Sequence, residues 1–129
     1  MKIKALALDA NGRSTWSAME IPLDQATPLH RISARQDGTS WSIVVHQPGE
    51  PVGGGPTEMH LIDRPVIVWP MSGYLENTLQ DRTTRRSGAG DGIYVRGQAL
   101  HHTTFARSRT PVTALNLALP GVGDYVFKR

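Results

Sequence analysis

The chain contains no cysteine, so disulfides and thiolate chemistry are excluded and no redox compartment is implied. Only two phenylalanines are present, and no stretch interleaves aromatic with basic residues, as a single-stranded nucleic-acid platform would. No apolar run approaches membrane-spanning length. The opening "MKIKALALDANGR" reaches charge after an apolar run too short for a signal peptide. No internal repeat, low-complexity tract or linker interrupts the sequence. These absences set the expectation of a soluble cytoplasmic protein without a nucleic-acid or membrane partner. At 129 residues the length fits one domain with one core, expected to span 1–129.

What the chain does have is turn residues. Thirteen glycines and nine prolines are spread along its length, favouring many short elements over a few long helices. Period-two alternation dominates. "KIKALAL" and "RSTWSAMEI" flank "DANG", whose Asn11-Gly12 pair suits the positive φ angles of a tight hairpin turn. "TSWSIVVH" sets Trp41, Ile43 and Val45 on one face and Ser42, Val44 and His46 on the other. "RPVIVWPMSGYLENTLQD" reads as two strands bent at Ser72-Gly73, "TTRRSGAGDGIYV" as strand and turn, and "HHTTFA" and "PVTALNLAL" close the series. "IPLDQA" is the one helical candidate, with Pro22 awkward in it. "QPGEPVGGGP" is a loop, and no Lys-Ser or Lys-Thr helix follows its glycines to make a phosphate cradle. The fold class this implies is all-β, a sandwich or barrel. The net charge of +3 draws on arginines at 82, 85, 86, 107 and 109; such a cluster can grip phosphate, but it reads rather as a solvated hairpin tip.

The densest chemistry lies in "RRSGAGDGIYVRGQALHHTTF", from Arg85 to Phe105, where a glycine-rich turn and a Tyr-Val strand precede adjacent histidines. Neighbours on a strand point to opposite faces, so only one of His101 and His102 can enter an enclosed space. Counting by twos, His102 shares a face with Thr104 and Ala106, and His101 with Thr103 and Phe105. Asn116 interrupts "VTALNLAL" on the face of Val112, Ala114 and Ala118, either lining a ligand space or forming a satisfied core amide. Tyr74 follows the Ser-Gly bend and could give a proton or hydrogen bond to a substrate oxygen, or simply pack. Trp41, Trp69 and Met71 suit core, subunit interface or ligand stacking. His46, on the polar side of its strand, could be a further ligand, but at a strand end it reads rather as an exposed edge residue.

From Glu58 to Gly121 the chain resembles a small single-domain cupin. The resemblance is carried by "EMHLIDRPVIVWPMSGYLENT", by the Gly-Asp turn of "RRSGAGDGIYV", by "HHTT", and by a last strand ending at Pro120-Gly121. It implies a double-stranded β-helix, or jelly-roll barrel, over 38–121, with an N-terminal β-hairpin and connection over 1–30. It also implies a homodimer. Carried over residue by residue, the metal positions of the family fall on Glu58, on His60, near Val66 and on His101 or His102. Val66 cannot ligate, so the set left is Glu58, His60 and His102. Two imidazoles and a carboxylate would suit a divalent Zn, Fe, Mn or Ni ion. Aligning the end of the last strand at Pro120-Gly121 puts His102 in the pocket and His101 on the rim.

Two functions are compatible with this reading. One is an enzyme acting on a small organic metabolite by isomerisation, cyclisation or oxygen chemistry, with His60, His102 and Tyr74 as its catalytic groups. The other is a non-catalytic barrel that binds a small molecule without metal. Ligand contacts are expected from His101, Asn116, Trp69 and Thr104 in either case.

Overall fold

A computed structural model describes residues 1–26, 31–47, 59, 61–105 and 111–129. Most of the glycine-rich loop, the 107–110 segment, Glu58 and His60 lie outside the described residues. The described chain forms β1 (Lys2–Leu8), β2 (Ser14–Glu20), β3 (Gln25–Ala26), β4 (Arg31–Ile32), β5 (Ser40–His46) and β6 (Val66–Pro70). These are followed by β7 (Tyr74–Thr78), β8 (Thr84–Gly88), β9 (Ile93–Val95), β10 (His102–Phe105) and β11 (Val112–Ala118). No helix occurs among the described residues, so none there is long and apolar enough to cross a membrane. The "IPLDQA" segment runs extended into β3 instead, as expected where Pro22 withholds a helical donor.

Two sheets make the barrel. Six strands in the order β2-β1-β9-β6-β11-β5 face three in the order β10-β7-β8. The strand pairs β6–β7, β8–β9 and β10–β11 each pass from one sheet to the other, giving the winding of a double-stranded β-helix. The β1–β2 hairpin joins its own chain's sheet through a parallel pairing of β1 with β9. Its turn uses one positive φ, at Gly12, rather than the Asn11-Gly12 pair. The Asp9 carboxylate closes that turn by accepting from the backbone N–H groups of Asn11 and Arg13.

Alternation gives the six-stranded sheet two apolar faces. Leu6, Val66, Val68, Ile93 and Val95 pack inward against Leu79 and Ala99, while Val112 meets Leu75. Ile3, Ala5, Ile67 and Tyr94 face outward and are covered by Ile21, Leu119, Tyr125 and Phe127. The C-terminal segment is therefore part of the structure. Tyr125 N–H donates to the Tyr94 hydroxyl at 2.9 Å, the Tyr125 hydroxyl donates to Gln36 Oε1 at 2.9 Å, and Arg96 pairs with Asp124 at 3.0 Å.

The bend between β6 and β7 depends on glycine. Gly73 has φ +67°, and a Cβ there would lie 2.8 Å from Val112 Cγ2. Only a residue without a side chain lets the strand change sheets against the end of β11.

Candidate ligand-binding site

Between the sheets lies a cavity of about 150 Å³. Its floor is built from inward valines and isoleucines of β6 and β9, with Ile62 and Leu75 beside them. The polar groups on its wall are His46, Asn77, His101, Thr103 and Asn116. Strand parity explains each placement. Leu75 and Asn77 alternate inward on β7, Val66 and Val68 on β6, and Asn116 follows Val112 and Ala114 along β11.

Of the adjacent histidines, His101 is the one that lines the cavity, and it is not on the rim: it is only 4% exposed. The β7–β10 register sets this, because Thr103 stands opposite Asn77, and both line the cavity. His102 takes the alternate register position opposite Thr78, and Thr104 the one opposite Glu76. The alignment at Pro120-Gly121 placed the strand one residue out. The parity shared by His101 and Phe105 was the signal that pointed the right way. His101 Nδ1 lies 3.1 Å from the Ala99 carbonyl oxygen. A carbonyl only accepts, so Nδ1 carries a proton and donates it in this bond.

Two other expected residues lie outside the cavity. Trp69 belongs to the outward set of β6; its Nε1–H donates to the Gly90 carbonyl at 3.0 Å, and its ring would meet a Cβ on Gly92 at 3.0 Å. The glycines of the "GAGDG" turn thus serve as the seat of an indole. Tyr74 falls on the parity opposite to Leu75 and Asn77, and the Arg86 guanidinium sits 4.1 Å from its ring centroid. Arg86 also pairs with Glu76 at 2.6 Å, an exposed arrangement on the hairpin surface. Neither Trp69 nor Tyr74 can reach a ligand between the sheets.

The sequence reading preferred His46 as an exposed edge residue over a further ligand. His46 ends β5, yet its side chain turns into the cavity rather than into solvent, as the even parity of Ser42 and Val44 implies. Asn77 and Thr103 were overlooked. Thr103 Oγ1 donates to Asn77 Oδ1 at 2.8 Å, a bond across the ladder that no residue count reveals.

Asn116 does line the cavity, and its Oδ1 is buried without a hydrogen-bond partner among the described residues. The described residues bring two imidazoles, two amides and a hydroxyl to the cavity, and no carboxylate. No group of three His, Asp or Glu side chains gathers anywhere among the described residues. Of the expected metal set, Glu58 and His60 lie outside the described residues, and His102 is described by its backbone register alone.

No protein-family model matches the chain, and no curated protein sequence is similar to it. Solved structures match its fold. A Cupin 2 conserved barrel domain protein from Salinispora arenicola superposes with a TM-score of 0.52 at 20% identity, over 78% of this chain and 82% of that one. A conserved protein of unknown function from Streptococcus pyogenes gives 0.51 at 20% identity over 70% of each chain. A conserved Klebsiella pneumoniae protein with a double-stranded β-helix domain gives 0.50 at 14% identity, over 70% of this chain and 75% of that one. The chain thus has the fold of a small cupin. At these identities the likeness is one of fold, which hosts many functions.

Proposed function

We propose that this chain binds a small molecule between its two sheets, and that the molecule has an apolar body and a hydrogen-bond donor. The observation that carries this is the buried, unpartnered Asn116 Oδ1 on the wall of an apolar-floored cavity. An acceptor left unsatisfied in this way costs roughly 1–3 kcal/mol of stability. A bound N–H or O–H would recover that cost. A cavity of this volume accommodates a ring about the size of benzene. Phenol and toluene are therefore suitable probes, because they differ only in the donor. Titration followed by NMR should show phenol binding more tightly than toluene, and Asn116→Leu should reverse the order while raising the midpoint of thermal unfolding. Equal binding of the two probes by the unaltered protein would reject the reading.

An enzymatic reading has one observation in its favour, the presence of His46 and His101 on the same cavity wall. Two imidazoles can move a proton between positions of a bound carbon acid. Its signature would be exchange of a ligand C–H for deuterium in D₂O, abolished by His101→Ala.

We further propose that the chain forms a homodimer through the half of the outer face that the C-terminal segment leaves open. Trp41, Ile43 and Val45 are 71%, 49% and 54% exposed, and Leu117 and Leu115 stand opposite the first two on β11. With Met71, also exposed, these outward residues present on the order of 450 Å² of apolar surface. A standard interface buries about 800 Å² per partner, somewhat more than half of it apolar, so the patch supplies the apolar part. None of these side chains carries charge, so two identical patches can face each other without repulsion.

A further inference from the structure

A second chamber, open to solvent and of about 340 Å³, adjoins the cavity and shares Ile62, Val66 and Asn116 with it. It differs from the cavity in holding a cation. Ser40 and Ser42 of β5 line it with hydroxyls, and Arg64, in the bend just before β6, adds a cation. Arg64 is in no salt bridge among the described residues. Lys4, Arg86, Arg96, Lys128 and Arg129 each hold a carboxylate, while Lys2, Arg13, Arg35, Arg82 and Arg85 resemble Arg64 in holding none among the described residues; of all these, Arg64 is the one that lines either of the two chambers.

Together the chambers reach the roughly 300–1,000 Å³ range of small-molecule sites, which the inner one alone does not. Both are mainly apolar; Asn116, its Oδ1 buried without a partner among the described residues, stands at the junction, and the outer end adds an exposed guanidinium and two hydroxyls beside Trp41. We infer that the ligand class is a small carboxylic acid carrying a hydroxyl or amine between its acid group and an apolar end. The apolar end fills the space between the sheets, the hydroxyl or amine donates to Asn116 Oδ1, and the carboxylate is held by Arg64 with help from Ser40 and Ser42. Arginine suits that last role because its planar fork of donors matches a carboxylate and its charge persists at any working pH.

This inference rests on the binding function proposed above, and its test separates the two. Mandelate has the required order of groups, and mandelamide replaces its charge with a neutral group of the same shape. Calorimetric titration should show mandelate binding about tenfold more tightly than mandelamide, the order of effect expected of one charge-assisted contact. Arg64→Gln should bring mandelate down to the affinity of mandelamide and leave mandelamide unchanged. High salt should weaken mandelate alone. Equal binding of the two by the unaltered protein overturns the acid class and leaves the cavity as a ligand site. A preference for mandelate that survives Arg64→Gln overturns the role of Arg64. If mandelate, mandelamide and phenol all fail to bind, both the ligand class and the binding function are wrong.

Discussion

Thr103 Oγ1 reaches across the β7–β10 ladder to donate a 2.8 Å hydrogen bond to Asn77 Oδ1, inside the barrel. That bond ties two inward polar residues together and fixes the register by which His101 enters the cavity. A slip by one residue would exchange His101 and Thr103 for His102 and Thr104.

The histidines can be separated by single substitutions. His101→Ala should abolish phenol binding and cost roughly 1–3 kcal/mol of stability, because it also leaves the Ala99 carbonyl without its donor. His102→Ala, at the alternate register position, should retain binding. NMR titration of both variants, with urea unfolding in parallel, decides between them. Retained binding in His101→Ala with loss in His102→Ala would restore the register derived from the end of the last strand.

The bend at Gly73 gives a stability prediction. Gly73→Ala combines a left-handed backbone with a Cβ driven against Val112, and should destabilise by roughly 2–4 kcal/mol. Val112→Ala removes the clashing methyl. The double variant should therefore be less destabilised than the sum of its parts, as urea unfolding of the full cycle would show. Simple additivity would mean that the cost is backbone strain alone.

Strand limits and faces were largely legible in the sequence, because alternation in "TSWSIVVH" and "PVTALNLAL" survives into β5 and β11 with the faces as read. Asn116 was legible for the same reason. The remainder of the site was not. Arg64 sits in a bend, where period-two counting gives no bearing, and His46 shares the inward parity of Ser42 and Val44 but ends its strand, which favoured an exposed reading. Tyr74 is expected inside from strand parity and the resemblance, and Trp69 is weighed for ligand stacking beside core and interface roles. On this sheet, however, both faces are apolar, and size does not say which one is the interior.

Alkaline pH should loosen the C-terminal segment. Burial, foremost, holds the Tyr94 hydroxyl above the ordinary tyrosine pKa, and the nearby Asp124 carboxylate acts in the same direction against the Tyr125 N–H and Arg96. The folded chain then holds this proton more tightly than the unfolded chain. Its contribution is complete below the ordinary tyrosine value of 10.0 and is lost as pH rises through the raised folded value. Tyr94→Phe should cost roughly 1–3 kcal/mol near neutrality, by stranding the Tyr125 N–H. The gap between variant and parent should narrow above pH 10. Unfolding free energies measured from pH 7 to 11 test this, and a constant gap would remove Tyr94 from the alkaline transition.

The proposed dimer is best tested at Ile43, the centre of β5 and of its exposed face. Trp41 is the more exposed residue, but it also borders the outer chamber, so its replacement would disturb binding and association together. Ile43 borders neither chamber. In a two-fold interface each substitution appears twice, so Ile43→Glu would place two carboxylates near the axis in apolar surroundings, a costly arrangement. Sedimentation at about 10 μM should then show a dimer for the parent chain and a monomer for the variant, the loss expected when micromolar affinity or better is weakened at least a hundredfold. The variant should keep its circular dichroism spectrum and its phenol binding, since β5 remains paired to β11 along its whole length. A parent chain that sediments as a monomer at that concentration would reject the interface. A variant that stays dimeric would place it on another surface.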